Sequence, residues 1–132
     1  MSKRSTVSVI KTKPATVIED IGRLMQDAGL KKALPQDRIT ILKDNISWHF
    51  PYLSANTTPW QLEGVILALK NSGYRHITAV HNNTVVTDPY RGETLNKLAP
   101  LYKKYSIEER YNFLPKDIKW INFKPKARMR VL

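Results

Sequence analysis

The sequence predicts an α/β fold with a mainly parallel sheet, three-layered and Rossmann-like. Three observations carry this. Short β-branched runs alternate with longer stretches of helical periodicity. The intervals between runs are long enough for a crossover helix. Several helical stretches open on recognisable start residues. The chain has 132 residues, which reads as a single α/β domain over 1–132 or as the N-terminal part of a larger domain.

Thr6-Val-Ser-Val-Ile-Lys-Thr12 alternates and is β-branched, so it predicts a first strand, broken by Pro14. Thr16-Val-Ile-Glu19 has the spacing of a capping box. Val17, Ile21, Leu24, Met25 and Ala28 then follow at helical intervals, with Gly29 as a stop. Leu30 to Leu34 adds a short turn before Pro35. Arg38-Ile-Thr-Ile-Leu42 is the second predicted strand. A long polar and aromatic loop follows it.

Thr58-Pro-Trp-Gln61 opens the second helix, with proline at its first position and glutamine at the third. Leu62, Val65, Ile66 and Leu69 form its apolar stripe, and Gly73 ends it. His76-Ile-Thr-Ala-Val80 is the third predicted strand. A third helix starts near Gly92 or Glu93 and carries Leu95, Leu98, Leu101 and Tyr102. Pro100 inside that pattern implies a kink or a late start. Ile107 to Phe113 and Lys119-Trp-Ile-Asn-Phe123 predict the fourth and fifth strands. Strand order is not legible at this level.

Charge and composition limit the function classes. The chain carries 22 Lys+Arg against 11 Asp+Glu, a net charge of +11. The excess is concentrated at the end: residues 97–132 hold 10 basic and 3 acidic side chains. Interleaved there are Tyr102, Tyr105, Tyr111, Phe113, Trp120 and Phe123. One reading is a nucleic-acid surface, with cations on phosphates and rings on bases. The other, which the alternating spacing favours, is a half-buried strand pair with a basic solvent face. There is no cysteine, which excludes disulfides, a thiolate zinc site, a cysteine nucleophile and a cysteine-ligated iron–sulfur cluster in this chain. No run reaches the roughly 18 apolar residues of a membrane span. A cytoplasmic protein with no membrane partner is the expectation. The segment from Lys124 to Leu132 begins a new apolar pattern and stops, so a C-terminal continuation is expected.

In open α/β sheets, ligands sit outside the carboxyl ends of the strands. Three segments fall there: Lys11-Thr-Lys13, Lys43 to Thr58, and His81 to Thr84. The second is long for a connection inside a compact domain, and such loops are often functional. It offers Lys43, Asn45, His49, Asn56, Thr57 and Thr58. His81 and Asn82 approach from the third strand. Together these eight residues are the candidate site for an anionic small molecule. Lys43 neutralises charge, the asparagines orient the ligand, and Thr57 and Thr58 present a helix N-terminus. The structural alternative is that Thr58 only caps the helix and Asn56 only forms an Asx turn.

His49 or His81 is a candidate general acid or base, with Asp44 and Asp88 the nearest carboxylates. Asp88 in Thr-Asp-Pro-Tyr is equally a turn former. No metal-ligand spacing of the H-E-x-x-H kind is present, so no metal site is expected. The dinucleotide, P-loop and nucleophile-elbow fingerprints are absent as well. Neither a catalytic residue nor a cofactor follows from the residues.

Lys43-x-Asn45-x-Ser47-Trp48 and Asn56-Thr-Thr-Pro-Trp-Gln-Leu-Glu-Gly-Val65 resemble the family called domain of unknown function 362. Asn83-Thr-Val-Val-Thr87, Gly92-Glu-Thr-Leu-Asn96 and Pro125-Lys-Ala127 are similar to the same family. The likeness runs from Thr6 to Leu132. It implies an α/β domain of prokaryotic cytoplasmic proteins, longer than this chain and in some members joined to an iron–sulfur module. On that basis the chain would be a portion of a redox-linked protein whose cluster lies elsewhere. Two features depart from the pattern. Asp44 stands where members often have proline, and cysteine is missing.

Overall fold

A computed structural model describes residues 6–122. Three parallel strands form one sheet in the order β1-β2-β3: β1 is Thr40–Leu42, β2 Ile77–His81 and β3 Glu108–Tyr111. Thr40 pairs with Ile77, and Thr78 with Glu108, so β2 is central. The α/β class and the parallel pairing agree with the sequence reading. Each crossover carries helix, as a parallel connection requires.

Helix α1 covers Val17–Asp27 and is followed by the short α2, Leu30–Ala33. The Thr16–Glu19 capping box does not form. The Thr16 hydroxyl instead donates to Asp20 Oδ2 at 2.6 Å, and Thr12 donates to the same oxygen at 2.9 Å. These hydroxyls hold the Asp20 carboxyl below its ordinary value. Gly29 adopts φ +83°, a left-handed conformation that glycine takes without Cβ strain, and ends α1.

Helix α3, Pro59–Asn71, links β1 to β2. Its capping box is complete: Thr58 accepts from the Gln61 backbone N–H, and Gln61 accepts from the Thr58 backbone N–H. Leu62, Ile66 and Leu69 pack on Ile77, Ala79, Tyr102 and Ile107 to make the core. Each such burial contributes about 1.5–3 kcal/mol. The outer side of α3 receives α1. A Cβ at Gly64 would lie 2.9 Å from the Ile21 Cβ, so only glycine lets the helices approach this closely.

Between β2 and β3 the structure has two helices where the sequence predicts one. Helix α4 is Pro89–Leu95 and α5 is Ala99–Tyr105. Asp88 caps α4 by accepting from the Arg91 N–H, so the helix begins earlier than Gly92. The break falls at Asn96–Leu98, where Lys97 takes φ 61°. Pro100 then sits in the first turn of α5, where its missing N–H costs nothing.

Two predicted strands do not form. Residues 6–12 have no strand assignment, and Val7 and Val9 are exposed. Alternation supplies strand propensity, but a strand exists only when an edge accepts its hydrogen bonds. Residues 119–122 are likewise irregular, and Phe123 lies outside the described residues, as do Lys124 to Leu132. No helix among the described residues is long and apolar enough to cross a membrane.

Candidate functional site

The carboxyl ends of the strands are organised on the two faces of the sheet in different ways. The loop after β1 connects them. Asn56 is its anchor: Oδ1 accepts from the Ser47 N–H at 2.9 Å, and Nδ2 lies within 3.0 Å of the Trp48 and Phe50 carbonyls and Asn96 Oδ1. Asn96 in turn donates to the Gly92 carbonyl and reaches the His49 carbonyl. The Asn45 N–H donates to Thr57 Oγ1 and the Thr57 N–H to the Asn45 carbonyl, both at 2.7 Å. Asn45 Nδ2 donates to the Ala55 carbonyl at 2.5 Å.

Four of the expected ligand residues are therefore engaged within the chain. Asn45, Asn56 and Thr57 hold the loop in shape, and Thr58 caps α3. The expectation had Asn45 and Asn56 orienting a ligand and Thr57 and Thr58 presenting the helix N-terminus to it; in the structure these side chains bond within the chain instead. The Asn-Thr-Thr-Pro segment is a structural element in its own right: it converts a sixteen-residue excursion into a fixed wall above the sheet.

His49 and His81 do not share a pocket wall. His49 is half-buried beside Trp48 and Phe50, with ring centroids 6.0 and 4.5 Å away. His81 turns to the helix-covered face. Its Nδ1 lies 3.5 Å from Asp44 Oδ1 and 3.5 Å from Glu93 Oε1, with the His81 and Asp44 side chains each 2% exposed. Those distances are too long for firm hydrogen bonds. Tyr111 Oη donates to Glu93 Oε2 at 3.0 Å and lies 3.4 Å from Glu109 Oε1. The Tyr102 ring stands edge-on to the imidazole, and its hydroxyl lies beside Asp44 without hydrogen-bond geometry.

The electrostatics of this cluster follow from burial. Desolvation pushes Glu93 up to about 8, reinforced by the neighbouring Glu109 and Asp44 carboxyls and opposed by the Tyr111 hydroxyl. Desolvation also raises Glu109 and the two tyrosine hydroxyls. It lowers His81, against the pull of Asp44 and with the help of Lys43. The imidazole is thus neutral at pH 7 and brings no positive charge to the carboxyls. Sequence reading missed Glu93 and Glu109 because they belong to a later helix and strand. The one available signal was that acidic residues in strand-like and helical stretches sit at positions otherwise apolar.

The opposite face of the sheet bears a cleft of about 410 Å³. Its floor is Ile39, Ile41 and Val80, and its upper rim holds Lys43, Asn82 and Arg110; no helix residue lines it. Ile39 and Ile41 are 62% and 63% exposed. Of the eight expected residues, Lys43, Asn82 and His81 line this cleft. The basic C-terminal third divides differently from either sequence reading. Tyr102 and Tyr111 are buried and closed to base stacking, while Trp120 is 87% exposed. Comparison with family models, curated proteins and solved structures finds no match to the chain.

Proposed function

We propose that the domain binds a small amphipathic anion in the cleft on the open sheet face. One observation carries this reading: an apolar floor of Ile39, Ile41 and Val80 ends, at the strand carboxyl ends, in Lys43 and Asn82. The volume of about 410 Å³ falls in the range of ordinary ligand pockets. Parallel sheets normally have both faces covered, so an apolar body laid on the isoleucines replaces missing burial. Lys43, exposed and tethered at Nζ to the Asp44 carbonyl at 2.6 Å, meets the anionic end. The kinship with domain of unknown function 362, the cytoplasmic setting and the Rossmann-like third layer belong to this reading too. A further layer from a longer chain would lie over Ile39 and Ile41 and leave the Lys43 rim accessible.

Binding of decanoate, with decanol as its neutral analogue, tests the reading by calorimetry. Wild type is expected to bind decanoate saturably and more tightly than decanol. Lys43→Met keeps the apolar stem and should weaken decanoate roughly tenfold, the loss of one charge-assisted contact, while sparing decanol. Ile41→Asp should weaken both. No saturable binding, or equal loss of both ligands in Lys43→Met, overturns the proposal.

A further inference from the structure

The ionisable side chains on the covered face, of which only His81 also borders the cleft, are not used by the cleft proposal and have their own chemistry. His81, Glu93 and Glu109 each present a ligand atom, and these atoms all lie within 4.8 Å of one another. Asp44 adds a third carboxylate, beside the imidazole at 3.5 Å. Two strand ends, the third strand and one helix converge here: Asp44 follows β1, His81 ends β2, Glu109 lies within β3, and Glu93 in α4.

The second observation is the state of the polar atoms. Both oxygens of Asp44, Nε2 of His81 and Oε1 of Glu93 are buried without a hydrogen-bond partner among the described residues. Unpaired buried polar atoms are costly, and each calls for an explanation. No lysine or arginine enters the cluster as a salt-bridge partner among the described residues. Among the described residues no lysine or arginine head group bonds to the three carboxyls: Lys43, whose charge is felt at His81, gives its Nζ to the Asp44 carbonyl instead. A small crevice lined by Lys43, Asp44, Ile46, His81, Asn82 and Pro89 borders Asp44 and His81.

We propose that His81, Glu93 and Glu109, with Asp44, form a binding site for one divalent first-row transition-metal ion. The donor set selects the class. Imidazole nitrogen suits zinc, iron and their neighbours, while an all-oxygen set would suit magnesium or calcium. Magnesium keeps several waters and rarely takes a buried protein cage. Tyr111, donating to Glu93 and reaching Glu109, holds two ligands in place, as partners behind a metal site do. The ion would satisfy the orphaned atoms and cancel the repulsion between the carboxyls.

The experiment uses the full chain, stripped with chelator and titrated with Co²⁺ and Zn²⁺. One ion per chain is expected, with Co²⁺ absorption bands of mixed nitrogen–oxygen ligation and a higher Tm on adding Zn²⁺. Glu93→Gln and Glu109→Gln, which keep shape and remove charge, should each lower affinity at least tenfold. His76→Ala, altering an exposed histidine outside the cluster, should change nothing. If a variant fails to fold, Co²⁺ broadening of the histidine resonances in wild type decides: His81 must broaden first. No saturable uptake, uptake unchanged in both glutamine variants, or broadening of His49 or His76 with His81 sharp overturns the site. These readouts are independent of decanoate binding, so either proposal can fail alone.

Discussion

The two faces of the sheet invert the usual distribution of residues. On the covered face, under α3 and α5, the strands present Ile77 and Ala79 together with the ionisable groups His81, at the end of β2, and Glu109, level with Ala79 in β3. On the open face they present Ile39, Ile41 and Val80, with Lys43 and Arg110 at the rim. Charge-bearing groups are buried and isoleucines are exposed. Exposed isolated apolar residues are ordinary, but a contiguous apolar floor is not, and buried carboxyls without partners are rarer still. Each face therefore carries a feature that folding alone does not require, and the two proposals answer them with different ligand chemistries.

Equal substitutions on opposite faces give the largest expected contrast. Ile77→Ala removes a core side chain of β2 and should cost about 2–5 kcal/mol, with a lowered urea midpoint. Ile41→Ala, on the neighbouring strand but facing the cleft, should cost less than about 1 kcal/mol, because most of that side chain is already in water. Similar losses for the two would mean that the open face is covered in solution.

The next contrast is in pH. Glu93 has a folded value of about 8 against an ordinary 4.5, so the fold prefers its protonated form. That stability is fully present below about 4.5 and is lost as pH rises through about 8. A slope of up to about 1.4 kcal/mol per pH unit is expected for one proton. His81 acts in the opposite sense. Its folded value is held below 6.5, so acid below 6.5 charges the unfolded chain and costs stability. Metal-free wild type should thus lose stability on both sides, while Glu93→Gln should keep the acid limb and flatten the alkaline one. Denaturation of both proteins across pH, without metal, measures this; an alkaline limb unchanged in Glu93→Gln would break the account of the covered face.

The smallest effect belongs to neither face. Lys104 donates to Glu63 at 2.7 Å between α5 and α3, but the lysine side chain is 59% exposed. Lys104→Ala should barely move the urea midpoint, and less still in high salt. It serves as a baseline for a surface contact.

Legibility in the sequence followed the range of the interaction. Thr58, Pro59 and Gln61 announced the start of α3 because a capping box closes within four residues. Arg38 to Leu42 and His76 to Val80 foretold β1 and β2 within two residues, since each pattern is continuous. Thr6 to Thr12 carries an equally good pattern and forms no strand, because pattern does not provide a pairing edge. Asn56 was legible as a special residue but not in its role. Its partner Asn96 lies 40 positions on, and that bond turns a possible ligand contact into a loop anchor.

The sequence by itself determined the α/β class, the main helix starts and the absence of cysteine chemistry, all of which depend on local spacing or on composition. Only the tertiary structure decided which face of the sheet is covered and where the carboxyls meet. Asp44, His81, Glu93 and Glu109 are far apart along the chain, and no local preference brings them together. Parallel pairing of three strands sets their carboxyl ends side by side, and α4 adds the fourth group from above. The burial that follows is what changes the chemistry: four ordinary side chains in water become a desolvated donor set with no salt-bridging lysine or arginine among the described residues.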